Sequence, residues 1–504
     1  MILNKSNIQS LNKSKIVVPD ASLFDLPEKV LQFGTGVLLR GLPDFFIDKA
    51  NRQGVFNGRI VVVKSTDQGS TKEFDQQDSL YTIVVKGIED GKTIEENIVS
   101  SAISRVLVAG TAWDQILEVA ASDALEVIIS NTTEVGIQLI EDDVFAKPPI
   151  SFPGKLLAVL HHRYKTFNGA KDKGLVIVPT ELIVDNGTKL SDILILLAKK
   201  NNLSSDFINW VNQHNEICNS LVDCIVPGKP VKEELQVIEQ DLGYTDDLLI
   251  MTEVYRLWAI SGTEKTRAKL SFAEADQGVV ITPDINLHRE LKLRLLNGTH
   301  TLSCGLAYLA GFDNVKSAMD DKAMEAYIAN LMKAEIAPSI PYAVTKTQTD
   351  DFAFKVLDRF RNPHINHQWL SITANYSSKL KMRVVPVLLN YVTEFKSVPN
   401  LMALGFAAYI KFTQPISKVG DQYFGSINGQ KYLINDTMAY HVADLWSKNA
   451  HQIVEAILGD TLLWGTALTA IPGFTKAVAK YVKEMDSQQA IKEIIQKELV
   501  KLEA

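Results

Sequence analysis

The stretch KLRLLNGTHT, Lys292 to Thr301, sets a lysine, an asparagine and a histidine within nine residues of an otherwise apolar run. These types can share the work of one reaction. An amine whose pKa is lowered by burial or a neighbouring cation takes a hydroxyl proton. An asparagine amide donates to an oxygen on which negative charge develops. An imidazole bonds a second hydroxyl and holds the molecule in line. Lys292, Asn297 and His300 therefore suit oxidation of a secondary alcohol or reduction of the matching ketone, a scheme that requires no metal. Taken as one helix over 290–301, Lys292 and His300 stand two turns apart on a shared side, and Asn297 meets His300 at a spacing of three. The bland reading is also open: a solvated lysine, a structural histidine, and an Asn-Gly turn in which Gly298 weakens the helix.

Such groups need elements to hold them. After a polar leader, the apolar piece before Gly34 predicts a strand, the glycines a turn, and Leu38, Leu42, Phe45 and Phe46 a helix by their spacing. RIVVVK at 59–64 predicts a buried strand. Further strands are expected within 123–136, 173–187 and 214–228, with an amphipathic helix at 189–202; periodicity leaves 245–260 unassigned. Strands alternating with helices argue for a mostly parallel sheet. From about residue 280 helical spacing takes over, as at 399–412, 434–449, 474–486 and 489–503. The expected fold is an α/β N-terminal domain over 1–280, built on a mostly parallel sheet, and a mostly α-helical domain over 281–504.

The turn Phe33-Gly34-Thr35-Gly36 is the candidate pyrophosphate loop, since glycines let phosphate approach backbone N–H groups at a helix start. The usual third glycine is replaced by Leu39. Arg40 could face phosphate. Asp67, after the second strand, could bind ribose hydroxyls and repel the extra phosphate of NADP, whereas Lys64 argues the other way. Asn131 and Thr132, at a later strand exit, could border the nicotinamide end.

Composition narrows the classes. The chain has 504 residues, enough for two or three domains, and is 46% hydrophobic with a net charge of -7. That balance gives no support for nucleic-acid binding. No apolar stretch is long enough to span a membrane, the leader lacks a signal-peptide core, and three scattered cysteines fit a reducing, cytoplasmic setting. Cys218, Cys224 and Cys304 make no zinc cluster, and His364 and His367 lack a third ligand, so no metal is expected. A monomer and a homo-oligomer are equally compatible with the pattern.

The chain resembles the long-chain, mannitol dehydrogenase-like family of polyol and sugar-acid oxidoreductases. The likeness lies in QFGTGVLLRG (32–41), VVVKSTDQG (61–69), FDQQDSLYT (74–82), SNTTEVG (130–136) and FPGKLLAVLHHRY (152–164). It continues in PTELIVDNG (179–187), SLVDCIVPG (220–228), KLRLLNGTH (292–300) and NYSSKLKMRVVP (375–386). The resemblance implies that the α/β domain over 1–280 is Rossmann-type and binds NAD and that the helical domain over 281–504 binds substrate, with metal-independent chemistry, a catalytic Lys292, an oxyanion-stabilising Asn297, a substrate-orienting His300, and Asp223 near the substrate. Two departures stand out. PTEL replaces the SCDN of many polyol-oxidising members, which puts Leu182 where a second asparagine is expected and leaves Asn186 nearby; Cys224 replaces a frequent arginine.

The resemblance further implies a hexuronate or aldonate substrate, with reversible reduction of D-tagaturonate to D-altronate as the expected reaction. Reduction of fructuronate, a mannitol-type polyol substrate, and a nucleotide-binding scaffold without catalysis are the alternatives; the intact trio speaks against the last. A carboxylate calls for cationic partners, best an arginine. Lys379, Arg383, Arg359 and Arg361 are the candidates; Lys379 lies in a family-like segment, while Arg359 and Arg361 read more readily as surface charge.

Overall fold

The structure is a computed structural model that describes residues 1–66, 70–132, 136–485 and 487–503. It divides into two compact units, Met1–Gly87 with Thr93–Ile285, and Ile88–Lys92 with Asn286–Ala504.

The strands of the first unit, in chain order, are β1 (Glu28–Phe33), β2 (Arg59–Lys64), β3 (Tyr81–Glu89), β4 (Lys92–Ser100), β5 (Ile103–Val108), β6 (Val127–Ser130), β7 (Val176–Pro179), β8 (Glu216–Ile217), β9 (Ser220–Asp223), β10 (Ile250–Glu253), β11 (Leu257–Ser261) and β12 (Val279–Thr282). Six of them form one parallel sheet in the order β5-β2-β1-β6-β7-β8. Counted within the sheet this is 3-2-1-4-5-6, the doubly wound order, in which the winding reverses between the first and fourth strands. Loops leaving β1 and β6 therefore diverge and open a crevice. The sequence supports this layout by two-residue alternation. Val30, Ile60 and Val62 feed a core on one face. Leu31, Phe33, Val61 and Val63 feed a core on the other. Every residue of β2 is buried, which is why its middle, Ile60 to Val63, is apolar without a break. The segment 245–260 resolves into β10 and β11, in two smaller three-stranded sheets, β10-β3-β4 and β12-β11-β9.

The second unit is mostly helical. Its central helix, Asn400–Phe412, is buried almost all round and packs against Thr299–Leu309 and Phe474–Glu484. Glu335 accepts from the backbone N–H groups of Leu401 and Met402 at 2.9 and 2.7 Å, capping that helix from a distant segment. A three-stranded antiparallel sheet of Ser417–Val419, Gln422–Ile427 and Gln430–Leu433 interrupts the helices. No helix among the described residues is long and apolar enough to cross a membrane.

The stretch around Lys292 is continuous helix but not uniform. An α-helix over Asn286–Leu291 leads into a π-helical segment, Lys292–Gly298, and then into the α-helix Thr299–Leu309. Gly298 keeps helical dihedrals of -64° and -47°, so no turn forms at Asn297-Gly298.

Candidate functional site

In the first unit the glycine turn follows β1 at the reversal point of the sheet. Gly34 has φ of +131°, and a Cβ there would lie 2.8 Å from the Asn131 carbonyl oxygen and 2.9 Å from Leu39 Cδ1. Glycine is thus required by conformation and by space. Leu39, at the missing third glycine, is the fully buried side chain that fills the turn from behind. Gly36 is exposed, and a Cβ on it would meet nothing within 4 Å. It precedes the helix Val37–Gly41 without a side-chain cap, so open space adjoins backbone amides there. This turn fits a dinucleotide phosphate: a bare backbone facing outward, with the chain locked behind it.

The other expected cofactor residues fall into three groups. Asn131 and Thr132 leave β6 beside the turn. Asn131 N donates to Phe33 O at 3.1 Å, and its amide donates to Thr180 O and Oγ1 at 3.1 and 3.0 Å. Thr132 N and Oγ1 both donate to Glu181 Oε1, at 2.9 and 3.0 Å. The Phe33 ring points into the core against Phe152, with centroids 5.3 Å apart, which leaves only its backbone at the turn. Asp67 lies outside the described residues. Arg40 departs from the expectation of a phosphate contact. It is 8% exposed, donates from NH1 to Leu248 O at 2.6 Å, and lies over the Phe74 and Tyr81 rings. Its position on the inward face of a short helix makes it a core brace. Lys64 is likewise turned back, donating to Thr66 O at 2.6 Å.

The exit of β7 bears on the lost asparagine. Leu182 is exposed. Asn186 is fully buried; its amide donates to the carbonyls of Pro179, Glu181 and Ser220, and its oxygen accepts from Ser220 N at 2.9 Å. It is a bracket between β7 and β9, with no amide hydrogen spare for a reacting oxygen. Asp223, at the end of β9, is 5% exposed.

In the second unit the structure assembles residues far apart in sequence. The π-helical segment matters here, because such a turn joins residues five apart, the separation of Lys292 from Asn297. Both side chains are half-buried. Thr301 Oγ1 donates to Asn297 O at 2.6 Å and accepts from Arg383 NH1 at 3.2 Å. Arg294 donates from NH1 to Met382 O and Arg383 O at 2.7 and 2.9 Å, stapling the segment to the helix Tyr376–Arg383. Lys379, on the same helix, donates to Ile372 O at 3.0 Å.

His300 is 8% exposed. Its ring is held well below the ordinary imidazole pKa, first by burial and then by His367, Arg359, Arg383 and Lys379. It is a neutral hydrogen-bonding group. Burial followed by Arg383 lowers Lys379, and burial lowers Arg383. Buried polar atoms without a hydrogen-bond partner gather here: His300 Nε2, Arg383 Nε and Trp369 Nε1, the last on a ring 5.9 Å from that of His300. Buried polar atoms are normally satisfied, and such orphans beside cations fit a site that takes a polar, anionic ligand. Arg359 corrects the expectation of surface charge: it is 7% exposed and belongs to this cluster, whereas Arg361 pairs with Glu325 at 2.6 Å.

Sequence reasoning brought Lys292, Asn297, His300, Lys379 and Arg383 into one unit, and the structure links Asn297, His300, Lys379 and Arg383. It missed His367, Phe360 and Thr301, and it weighed Arg359 as surface charge. Metal-ligand spacing gives no reason to single out position 367. Cys304 is a buried thiol, pushed up to about 12 by burial. Among the described residues no cluster of histidine, cysteine, aspartate or glutamate could hold a metal.

Comparison with known proteins fits this arrangement. A family model described as the mannitol dehydrogenase Rossmann domain matches residues 28–273, and one described as the mannitol dehydrogenase C-terminal domain matches residues 284–486. The chain is 37% identical over 485 residues to altronate oxidoreductase of Halalkalibacterium halodurans, covering 93% of this chain and 94% of that one. It is 35% identical over 474 residues to altronate oxidoreductase of Bacillus subtilis, covering 93% and 95%. Its fold resembles that of Pseudomonas fluorescens mannitol 2-dehydrogenase in ternary complex with NAD and D-mannitol, with a TM-score of 0.68 at 22% identity, covering 99% of this chain and 100% of that one. The chain belongs to the mannitol dehydrogenase family and is a polyol or sugar-acid oxidoreductase acting on CH–OH groups.

Proposed function

We propose that the protein reduces D-tagaturonate to D-altronate with NADH and catalyses the reverse with NAD. The observation that carries this reading is the cationic cluster of Lys379, Arg383 and Arg359 around a neutral His300, with Arg383 Nε and His300 Nε2 unpartnered. A neutral polyol gives such a cluster no counter-charge, whereas a uronate brings a carboxylate. The curated relatives named altronate oxidoreductase support the same choice.

The first unit contributes the glycine turn at Gly34 and Gly36, with Asn131 and Thr132 fixed beside it by Thr180 and Glu181. NAD(H), when bound, supplies or accepts the hydride at the carbon bearing the reacting oxygen. Lys292 gives a proton to the carbonyl oxygen in reduction and takes it from the hydroxyl in oxidation. The Asn297 amide donates to that oxygen as charge grows on it. His300, neutral, orients an adjacent hydroxyl through Nε2. Lys379 and Arg383 hold the carboxylate, and Asp223 accepts from a substrate hydroxyl. None of Cys218, Cys224 and Cys304 forms a disulfide, which accords with the proposed cytoplasmic setting.

A substrate panel tests the reading. Oxidation of NADH and NADPH is followed with D-tagaturonate, D-fructuronate and neutral ketoses. The expected result is highest kcat/KM with D-tagaturonate and NADH. Preference for a neutral ketose would sink the substrate assignment, and preference for NADPH would sink the cofactor assignment.

A further inference from the structure

Three rings surround His300. Phe360 stacks on its face, with centroids 4.0 Å apart and planes at 6°. His367 and Trp369 meet it edge to face at 5.2 and 5.9 Å. Phe360 and Trp369 are deeply buried, and packing explains them. His367 is different. It is only half-buried, and an apolar ring would serve equally well as a wall. Its main chain is pinned, since its carbonyl accepts from Val315 N at 2.9 Å and Trp369 N donates to Asp313 O at 3.0 Å. Asn314 and Gln368 form a bridge alongside. A fixed stem thus presents a polar ring against His300, within the field of Lys379 and Arg359. Burial, then Lys379 and Arg359, hold that ring below the ordinary imidazole value.

An imidazole kept neutral by surrounding cations becomes a better donor when an anion arrives among them, because the anion offsets their field. The geometry points to His367 as a specificity-determining residue: its ring edge fixes His300, and its nitrogen reaches the carboxylate end of an acid sugar, favouring that substrate over the neutral ketose. This rests on the proposed sugar-acid substrate and adds to it a residue outside the lysine–asparagine–histidine trio. Arg359, on the helix Lys346–Arg361 that also carries Phe360, supplies positive charge behind the ring.

The test is His367→Phe, which keeps a flat ring and removes the nitrogens, compared with His367→Ala, which removes both. Steady-state kinetics are measured with D-tagaturonate and with D-tagatose, its neutral counterpart. For His367→Phe, KM for D-tagaturonate is expected to rise about tenfold, the size of a lost hydrogen bond to a charged group, with kcat nearly unchanged. Its kcat/KM on D-tagatose stays within about twofold of the parent, since no carboxylate contact is lost. His367→Ala lowers kcat on both substrates, because His300 loses a wall. Equal losses on both substrates in the Phe variant, or no loss on either, overturn the inference. A parent enzyme that prefers D-tagatose overturns the substrate reading and this inference with it. A parent that prefers D-tagaturonate, with a Phe variant of the same preference, overturns this inference alone. If thermal melting shows the Phe variant unfolded, His367→Leu is read by the same criteria.

Discussion

At the scale of the residue, the proposed reaction rests on a proton moving at Lys292 and charge being met by Asn297. Lys292→Met keeps the stem and removes the amine. The expected outcome is a fall in kcat of about 10²–10⁴-fold, the usual contribution of a positioned acid or base. Dinucleotide affinity, read by fluorescence titration, is expected to hold, because the glycine turn lies in the other unit. Turnover at the parental rate would remove Lys292 from the mechanism. The proposed role of His300 differs: burial and four neighbouring groups keep it neutral, which suits orienting a substrate rather than transferring a proton. The trio and Lys379 were legible as chemistry-bearing residues. Arg40 was legible as an arginine near a phosphate loop, yet its direction was not. Which face of a short helix turns inward is decided by Leu248, Phe74 and Tyr81, none of them near it in sequence.

At the scale of the element, two devices stand out. The first is the turn after β1, where a left-handed residue sits under the Asn131 carbonyl. Gly34→Ala forces a Cβ into that oxygen and strains the backbone at a cost of about 1–3 kcal/mol. The expected result is a lower melting temperature and at least about tenfold weaker NADH binding, with a parental dissociation constant as the outcome that would refute it. The second is Glu335, which caps the central helix Asn400–Phe412 of the second unit. Glu335→Ala leaves two buried amides without an acceptor, and the loss expected in urea unfolding is about 1–3 kcal/mol for each. An unchanged unfolding midpoint would show that water or a shifted side chain replaces the cap. The strand RIVVVK and the helix at 400–412 were readable because apolar runs and helical periods are local. The π-helical segment was not, since over seven residues its period differs too little from that of an α-helix to leave a mark.

At the scale of the whole molecule, buried acids couple stability to pH in both units. Asp44, fully buried behind the glycine turn, is pushed from 3.8 to about 8 by burial, against the pull of Gln32 and Arg40. Glu335 is pushed from 4.5 to about 7 by burial, against the helix amides of Leu401 and Met402. Raised carboxyl values mean that the folded state binds these protons more tightly than the unfolded chain. Their contribution is complete below the ordinary carboxyl range and is lost as pH rises through the folded values. Below about pH 7 the imidazoles of His300 and His367, held under their ordinary value in the fold, act with the opposite sign, so stability to urea is expected to decline chiefly between about pH 7 and 8, where those rings are neutral in both states and the buried carboxyls still titrate. Asp44→Asn is expected to flatten that decline, and a variant whose slope matches the parent would assign the pH dependence elsewhere.

The sequence alone determined the alternation of strands and helices in the first unit, the helical character of the second, the glycine turn, the family likeness and the lysine–asparagine–histidine trio. Each is carried by neighbours in the chain: alternation for strands, helical period for helices, fixed spacing for the motif. Tertiary structure decided which charges are buried together. Arg359 and His367 lie 59 and 67 residues beyond His300 and meet it only because the helix Lys346–Arg361 and the pinned segment after it fold back upon it. Burial removes water from these cations and imidazoles at once, and that shared desolvation has no signature in spacing.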